Sequence, residues 1–356
     1  MIALTVPARS DAQARFVTRL NTPNDDNDRG AQLIARNGDR RIYSGENGLF
    51  ELTILDEPFD GDVVVVDPVL GSAERLVRRN SEHNTFLVTE RCDQLCVMCS
   101  QPPKKTHIGR WEEFRQAALL APAGKLIGLS GGEPTLYKED LFALLDEVLE
   151  HRPDLSFHVL SNGQHFDDDD LRRLRNPAWH SVAWGIPIYS AEPDKHDAIV
   201  AKRGAHARLR ASLAVLLEAG AHVELRTVVM SENVSGLPRL AEYVAGHLGF
   251  IDQWSIMQLE SIGFAQNRFF DLAIDVEKDF PAIATAIDMA ELFGIATALF
   301  NFPMCTVPAA YRRYAIPSIS DWKRKFAPQC TDCSVSAGCS GFFAWHPETA
   351  IKVRPL

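Results

Sequence analysis

Positive charge is what this 356-residue chain is short of: 37 Lys and Arg against 47 Asp and Glu leave a net charge of −10. A protein that grips nucleic acid by neutralising phosphates needs the opposite balance, so nucleic acid is not expected as a partner. A cationic or His-rich partner suits the surface better. Long apolar runs are missing too. No stretch reaches the roughly 18 residues of a membrane span, and the opening MIALTVPARSDAQARF is too broken for a secretory signal. The expectation is a cytoplasmic protein with no membrane association. There are no internal sequence repeats. Cysteine is scarce, at seven residues, and in a reducing compartment clustered thiols serve metal or redox chemistry more often than disulfides. What is present is 46% hydrophobic and 24% charged residues, an ordinary globular composition with ample core material. The length suits one large domain with one or two small ones.

Residues 1–80 lack long helical periodicity. The stretch RIYSGENGLFELTILDEPFDGDVVVVDP reads instead as strands punctuated by SGENG and FDGD turns, a small β-rich domain. From residue 84 the pattern becomes strands alternating with helices. Strand candidates are 84–90, 125–131, 155–163, 181–189, 222–230 and 251–260, near-continuous in apolar residues. Amphipathic stretches lie between them, such as YKEDLFALLDEVLEHR and HARLRASLAVLLEAG, the second closed by Gly220 as a C-cap. Six β–α repeats imply a parallel sheet buried on both faces, either a barrel or a doubly wound sheet, with chemistry at the C-terminal strand ends. A helix near 275–294 and a short strand IATALFNF lead into a Cys-, Pro- and Gly-rich segment, 301–356. The DDDD run at 167–170 reads as a solvated helix start.

The chemistry concentrates in TERCDQLCVMCSQPP, where Cys92, Cys96 and Cys99 share one loop after the first α/β strand. Three thiols cannot all pair as disulfides, and three ligands do not complete a tetrahedral zinc site. Thiolates hold iron–sulfur clusters, and three ligands to a four-iron cluster leave one iron open. This spacing resembles that of the radical S-adenosylmethionine (SAM) superfamily. The resemblance implies a partial (β/α)6 TIM-like barrel over residues 81–300 and a 4Fe–4S cluster whose open iron chelates SAM. Reductive cleavage of SAM would then give a 5′-deoxyadenosyl radical that abstracts hydrogen from carbon. Met98 stands where the family usually has an aromatic residue near the adenine.

GLSGGEP at the second strand's end contains G-x-S-x-G, which mimics a hydrolase nucleophile elbow. An elbow starts its helix directly after the serine, whereas Pro134 disfavours helical geometry at Glu133. Gly131, Gly132, Glu133 and Pro134 instead resemble the superfamily's GGEP motif, which by resemblance holds the methionine amino group of SAM. Glycines permit close backbone approach, and exposed carbonyls plus Glu133 can accept from an ammonium. Later strand ends add Asn162, a turn residue or a ligand contact, and Ser190, a candidate ribose or carboxylate contact where relatives read SIDG. His196 beside it reads as structural. Arg226, on an apolar strand, needs a carboxylate; Glu224 on the same strand face is one partner, and in relatives an arginine here contacts the SAM carboxylate.

The other four cysteines are Cys305, Cys330, Cys333 and Cys339. Four thiols satisfy either a structural zinc or a fully ligated 4Fe–4S cluster. The total of three plus four resembles radical SAM enzymes with a C-terminal Twitch- or SPASM-like extension, here 301–356 with one auxiliary cluster. GDVVVVDP, GIPIYS, MQLESIGFAQNR, NFPMC and the final C-x2-C-x5-C-x-GFFAWH resemble the radical SAM maturases of the His-Xaa-Ser system, the HxsC type. That resemblance implies a precursor-peptide substrate with His-Xaa-Ser repeats, a second radical SAM protein as partner, and an electron donor such as flavodoxin or ferredoxin. The N-terminal region would then recognise the peptide or a partner, with strand addition to an exposed edge as one route. Two other readings stay open: a radical SAM dehydrogenase or epimerase of a small molecule, and a noncatalytic iron–sulfur or zinc subunit. Lys202, Arg268, Tyr311 and Trp345 are further pocket candidates, and the sequence offers no general base.

Overall fold

A computed structural model describes residues 2–21, 30–54 and 58–356. The last gap removes 55–57 from the strand-rich stretch at 41–68, and those three lie outside the described residues. Seven short strands open the chain: β1 (Thr5–Ser10), β2 (Phe16–Asn21), β3 (Ala31–Asn37), β4 (Arg40–Gly45), β5 (Gly48–Thr53), β6 (Val63–Asp67) and β7 (Ser72–Val77). They close into a barrel in the order β1-β5-β4-β3-β2-β6-β7, with β7 returning antiparallel to β1. Alternation fills the interior: Val6 and Ala8 of β1 and Phe50 and Leu52 of β5 point inward. Phe50 stacks on Tyr43 at 5.4 Å and meets Phe16 edge-on at 5.5 Å. The SGENG turn joins β4 to β5, and Gly48 takes a φ of +86° that a side chain would resist.

The N-terminal domain is β-rich as read, and its barrel closes through a short seam, Leu20 with Ala31 and Asn21 with Gln32.

The VVVVD run of β6 is buried at every position. A strand with one wet face would alternate; this one carries the barrel interior on one side and helix α1 (Trp111–Leu120) on the other. Ion pairs fasten that helix: Arg110 to Glu74 at 2.8 Å and Arg15 to Glu113 at 3.0 Å. The chain accordingly divides into two compact units, Met1–Thr89, Ile108–Ser130 and Tyr137–His158 in the first, and Glu90–His107, Gly131–Leu136 and Val159–Leu356 in the second.

The second sheet holds β8 (Asn84–Thr89), β9 (Leu126–Gly131), β10 (Ser156–Leu160), β11 (Val182–Pro187), β12 (His222–Val229), β13 (Gln253–Gln258) and β14 (Thr297–Phe300), neighbouring one another in chain order. A doubly wound sheet would reverse its order at a switch point. Sequential order is the winding of a barrel, and it selects the partial barrel. From β11 to β14 the pairing is parallel, for example Leu225 to Trp254 and Ile256 to Leu299. The helices are α2 (Lys138–His151), α3 (Leu171–Leu174), α4 (Pro193–Ile199), α5 (Ala205–Ala219), α6 (Leu237–His247), α7 (Phe269–Leu272) and α8 (Val276–Leu292). Gly220 caps α5 at φ +68°, as its place after the apolar pattern indicated. Beyond β14, single 3-10 turns and a two-residue hairpin, β15 (Arg324–Lys325) with β16 (Phe342–Phe343), carry the chain to its end. Among the described residues, no helix is long and apolar enough to cross a membrane.

Candidate cluster and cofactor site

The cysteine loop leaves β8 at its C-terminal end and is pinned by backbone bonds on several sides. Leu95 and Val97 amides donate to the carbonyls of Val200 and Ile199 at the end of α4, at 3.2 and 2.9 Å. Phe264 donates to the Cys99 carbonyl at 2.9 Å, the Arg268 guanidinium to the Val97 carbonyl at 2.6 Å, and Lys104 to the Glu90 carbonyl at 2.8 Å, closing the loop's base. Met98 is buried among Tyr189, Ile199, Met230 and Leu259 and so anchors the loop in the core.

Cys92, Cys96 and Cys99 are half-buried free thiols. Burial pushes Cys92 and Cys96 up to about 12, and each is pushed further by neighbouring thiols, Cys99 among them. Burial also raises Cys99. Burial opposes ionisation of all three thiols, and a bound metal cluster would favour their thiolate forms. The Gln94 amide already donates to the Cys92 sulfur at 3.4 Å. Among the described residues, no group of three His, Cys, Asp or Glu side chains stands assembled for a single metal ion.

The Gly131–Pro134 turn packs directly on this loop. The Glu133 amide donates to the Arg91 carbonyl at 2.7 Å, and a Cβ on Gly132 would lie 2.1 Å from that oxygen, so only glycine fits. The helix after the turn begins at Pro134, three residues past the elbow position. Glu133 itself points inward and is fully buried. Its Oε1 accepts from the Thr135 amide at 2.9 Å, the Thr135 hydroxyl at 2.5 Å and the Ser161 hydroxyl at 2.8 Å, and its Oε2 accepts from the Asn162 amide. Burial pushes its carboxyl up, and those donors pull it back down. The side chain is a brace from the turn to the end of β10, engaged by four donors of the chain itself.

Asn162 extends the brace. Its Nδ2 donates to Asp93 Oδ1 at 2.7 Å, and its Oδ1 accepts from the Gln164 amide at 3.1 Å. Asp93, inside the cysteine loop, also pairs with Lys202, and with His165 at 3.1 Å. Burial pushes the Asp93 carboxyl up, but His165 and Lys202 outweigh it and hold the group well below the ordinary carboxylate range. Ser190 accepts from the Glu192 amide at 3.0 Å and shapes the turn into α4. His196 is buried in α4, with Nδ1 3.4 Å from the Tyr189 amide. Arg226 pairs with Glu224 at 2.8 Å, and its guanidinium lies 5.6 Å from the Phe300 ring centroid. Tyr311 is remote from this set, bonded to Asp288 at 2.8 Å.

Sequence reasoning passed over two residues. Asp93 was hidden because acidic residues are common in loops. Tyr189 is buried with its hydroxyl within electrostatic reach of Cys96, Cys99, Arg226 and Cys92, and burial and those thiols raise it well above the ordinary phenol value. The GIPIYS phrase contained it without marking its direction.

The remaining thiols meet elsewhere. Cys305, Cys330, Cys333 and Cys339 line one pocket with Met304 and Phe342. The amides of Met304 and Gly341 donate to the Cys339 sulfur at 3.3 and 3.4 Å, the kind of hydrogen bond that tunes an iron–sulfur site. Cys330 is raised by burial and by the charges of Cys305, Cys339 and Cys333. The four thiols share the lining of one pocket, but among the described residues they do not stand assembled for a metal ion.

The sheet runs in chain order, with a three-thiol loop after β8 and a glycine turn at the end of β9. Residues 86–244 match the radical SAM superfamily model, a stretch that includes the cysteine loop, the Gly131–Pro134 turn and Arg226. Residues 86–244 thus resemble a radical SAM domain, and proteins of that superfamily work with SAM and a 4Fe–4S cluster. Among solved structures it is similar to Streptococcus suis SuiB bound to S-adenosylmethionine, at 14% identity and a TM-score of 0.49, over 61% of this chain and 50% of that one. It is also similar to native anSMEcpe with bound AdoMet (14% identity, TM-score 0.47, 61% and 63% of the two chains). A radical SAM methyltransferase from Sphaerobacter thermophilus matches at 14% identity and a TM-score of 0.46, over 76% and 77%. The chain spans about half the length of SuiB. No curated protein matches the sequence.

Proposed function

We propose that this protein is a peptide maturase that uses SAM and a 4Fe–4S cluster to abstract hydrogen from a ribosomally made peptide, installing a modification such as a crosslink. The observation that carries the radical part is the packing of the Gly131–Pro134 turn onto the Arg91–Cys92 backbone, which joins the two motifs into one site. Cys92, Cys96 and Cys99 would hold the cluster. When bound, the cluster supplies the electron for reductive cleavage of SAM. The chain's own residues do the positioning: Met98 seats the loop, Asp93 ties it to Asn162 and Lys202, and Glu133 fixes the end of β10 against the glycine turn. The half-buried thiols and the fully buried brace keep water from the loop's inner side.

The peptide part rests on the likeness to His-Xaa-Ser maturases, on the net charge of −10, and on the four-thiol cavity, which would hold an auxiliary cluster able to take up an electron. The N-terminal barrel is the candidate for peptide or partner recognition, and flavodoxin or ferredoxin the candidate donor. The test is anaerobic reconstitution, with iron, sulfide and zinc measured per chain beside 5′-deoxyadenosine formed from SAM and dithionite. About eight irons, two four-iron clusters, with deoxyadenosine formed and a mass change in a His-Xaa-Ser peptide, is the expected result. About four irons with one zinc would make the C-terminal site a structural clamp. A mass change in a small metabolite instead of the peptide would overturn the substrate assignment.

A further inference from the structure

Glu260 lies two residues beyond β13, at the same end of the sheet as the cysteine loop. Three residues later its connection locks onto that loop. Gly263 sits so close that a Cβ would be 2.3 Å from the Cys99 carbonyl oxygen, and Phe264 donates to that oxygen at 2.9 Å. Glu260 thus precedes, by three residues, the point at which its connection meets the cysteine loop. Its side chain is 20% exposed, and burial raises its pKa against the lowering effects of Lys323 and Trp345.

Around it stand three aromatic rings. Trp345 lies 6.3 Å from Trp322 and 5.9 Å from Phe343, centroid to centroid. The buried Trp345 indole N–H is directed at the Glu260 carboxylate and helps to hold it ionised. One cation occupies the group, and loosely. Lys323 Nζ is 3.9 Å from Glu260, 5.8 Å from the Trp322 centroid and 5.2 Å from the Phe343 centroid. By contrast Arg226 grips Glu224 at 2.8 Å. A mostly desolvated carboxylate walled by ring faces attracts cations and repels anions. The flexible four-carbon stem of a lysine lets its ammonium swing out to water.

We propose that Glu260, Trp322, Phe343 and Trp345 form a receptor for a cationic side chain of the substrate, an imidazolium or an ammonium, and that Lys323 is the internal cation this side chain displaces. The inference rests on the peptide reading for its natural ligand, and it names the feature of the peptide that the site reads.

The test is titration of the purified full-length protein, followed by tryptophan fluorescence, with peptides of three Lys-Ala-Ser repeats or three Gln-Ala-Ser repeats, and separately with tetramethylammonium chloride against sodium chloride at equal ionic strength. Expected are a loss of about tenfold in affinity for the lysine peptide in Glu260→Gln, and a gain of about threefold in Lys323→Met, which frees the receptor. The glutamine peptide should change less than about twofold in either variant. Lys323→Met keeps the aliphatic stem, so it remains informative if Glu260→Gln fails to fold. If Lys323→Met leaves the lysine peptide unchanged or weakens it, Lys323 is a structural cap and the proposal is overturned. If neither peptide binds the wild type but tetramethylammonium binds and Lys323→Met tightens it, the receptor stands and the peptide reading falls. If tetramethylammonium also shows no response in either form, the receptor is refuted.

Discussion

Glu133→Gln tests the brace between the glycine turn and β10. The wild-type carboxylate meets only donors: three converge on Oε1 and the Asn162 amide reaches Oε2. A neutral acid would have to place its own hydrogen against one of them, so the geometry calls for the ionised form in spite of the burial that opposes it. Glutamine is nearly isosteric. In its better orientation the amide oxygen keeps the three donors as neutral bonds, and the NH2 group faces the Asn162 amide, donor against donor. One charge-assisted bond is lost, worth about 1.5–3 kcal/mol, and a buried N–H is left without a partner, at about 1–3 kcal/mol. Relief of the buried charge offsets part of this, so the expected destabilisation is about 2–3 kcal/mol. Urea unfolding under anaerobic conditions measures it. Because Asn162 also bonds Asp93 in the cysteine loop, weaker SAM binding by calorimetry should accompany the loss. A variant within about 0.5 kcal/mol of wild type would mean that glutamine reproduces the native group. The carboxyl would then be protonated, and the four-donor account would be wrong.

Gly132→Ala should lower SAM affinity by at least about tenfold while leaving the thermal midpoint of the N-terminal barrel's tryptophan-free fold unchanged, since its methyl must push the Arg91 carbonyl back by about 1 Å; unaltered SAM binding would detach the turn from the cofactor. Replacing Cys92, Cys96 and Cys99 by alanine should abolish 5′-deoxyadenosine, and Cys330→Ser with Cys333→Ser should remove about four irons while SAM binding persists. Loss of all iron from the second pair would mean one shared site. Burial and the charge of His206 hold His196 down to about 4 from 6.5. Its folded value lies below its unfolded one, so its contribution is intact above about pH 6.5 and declines as pH falls toward 4. Between pH 7 and pH 5 the loss is about 2 kcal/mol. Urea midpoints across that range should slope in wild type and flatten in His196→Asn; parallel slopes would remove His196 as the cause.

Local order was legible where one segment decides its own fate. The apolar strands with their C-terminal loops, the α5 cap at Gly220, and the cysteine spacing all follow from neighbours a few residues apart. Barrel closure did not follow. It depends on β7 returning to β1 and on a two-residue seam, Leu20 with Ala31 and Asn21 with Gln32, and no pattern inside either strand encodes that seam. The VVVVD run was readable as a strand, but not that it is buried at every position or that α1 covers its outer face.

At the site the same boundary separates residue identity from direction. Glu133 was visible as a motif member, yet the motif does not say that its carboxylate turns inward. Asp93 gains its role only from Asn162 and Lys202, 69 and 109 residues away. These two facts bear on how the site works. The cysteine loop is fixed by backbone bonds to α4 and to residues 264–268, and by Asp93 to the end of β10, none of which uses a sulfur atom. The three thiols are thus spared from holding the fold. Burial raises their pKa values, so the loop's shape comes from the fold around it, and the proposed cluster would be what draws the thiols into their ionised form.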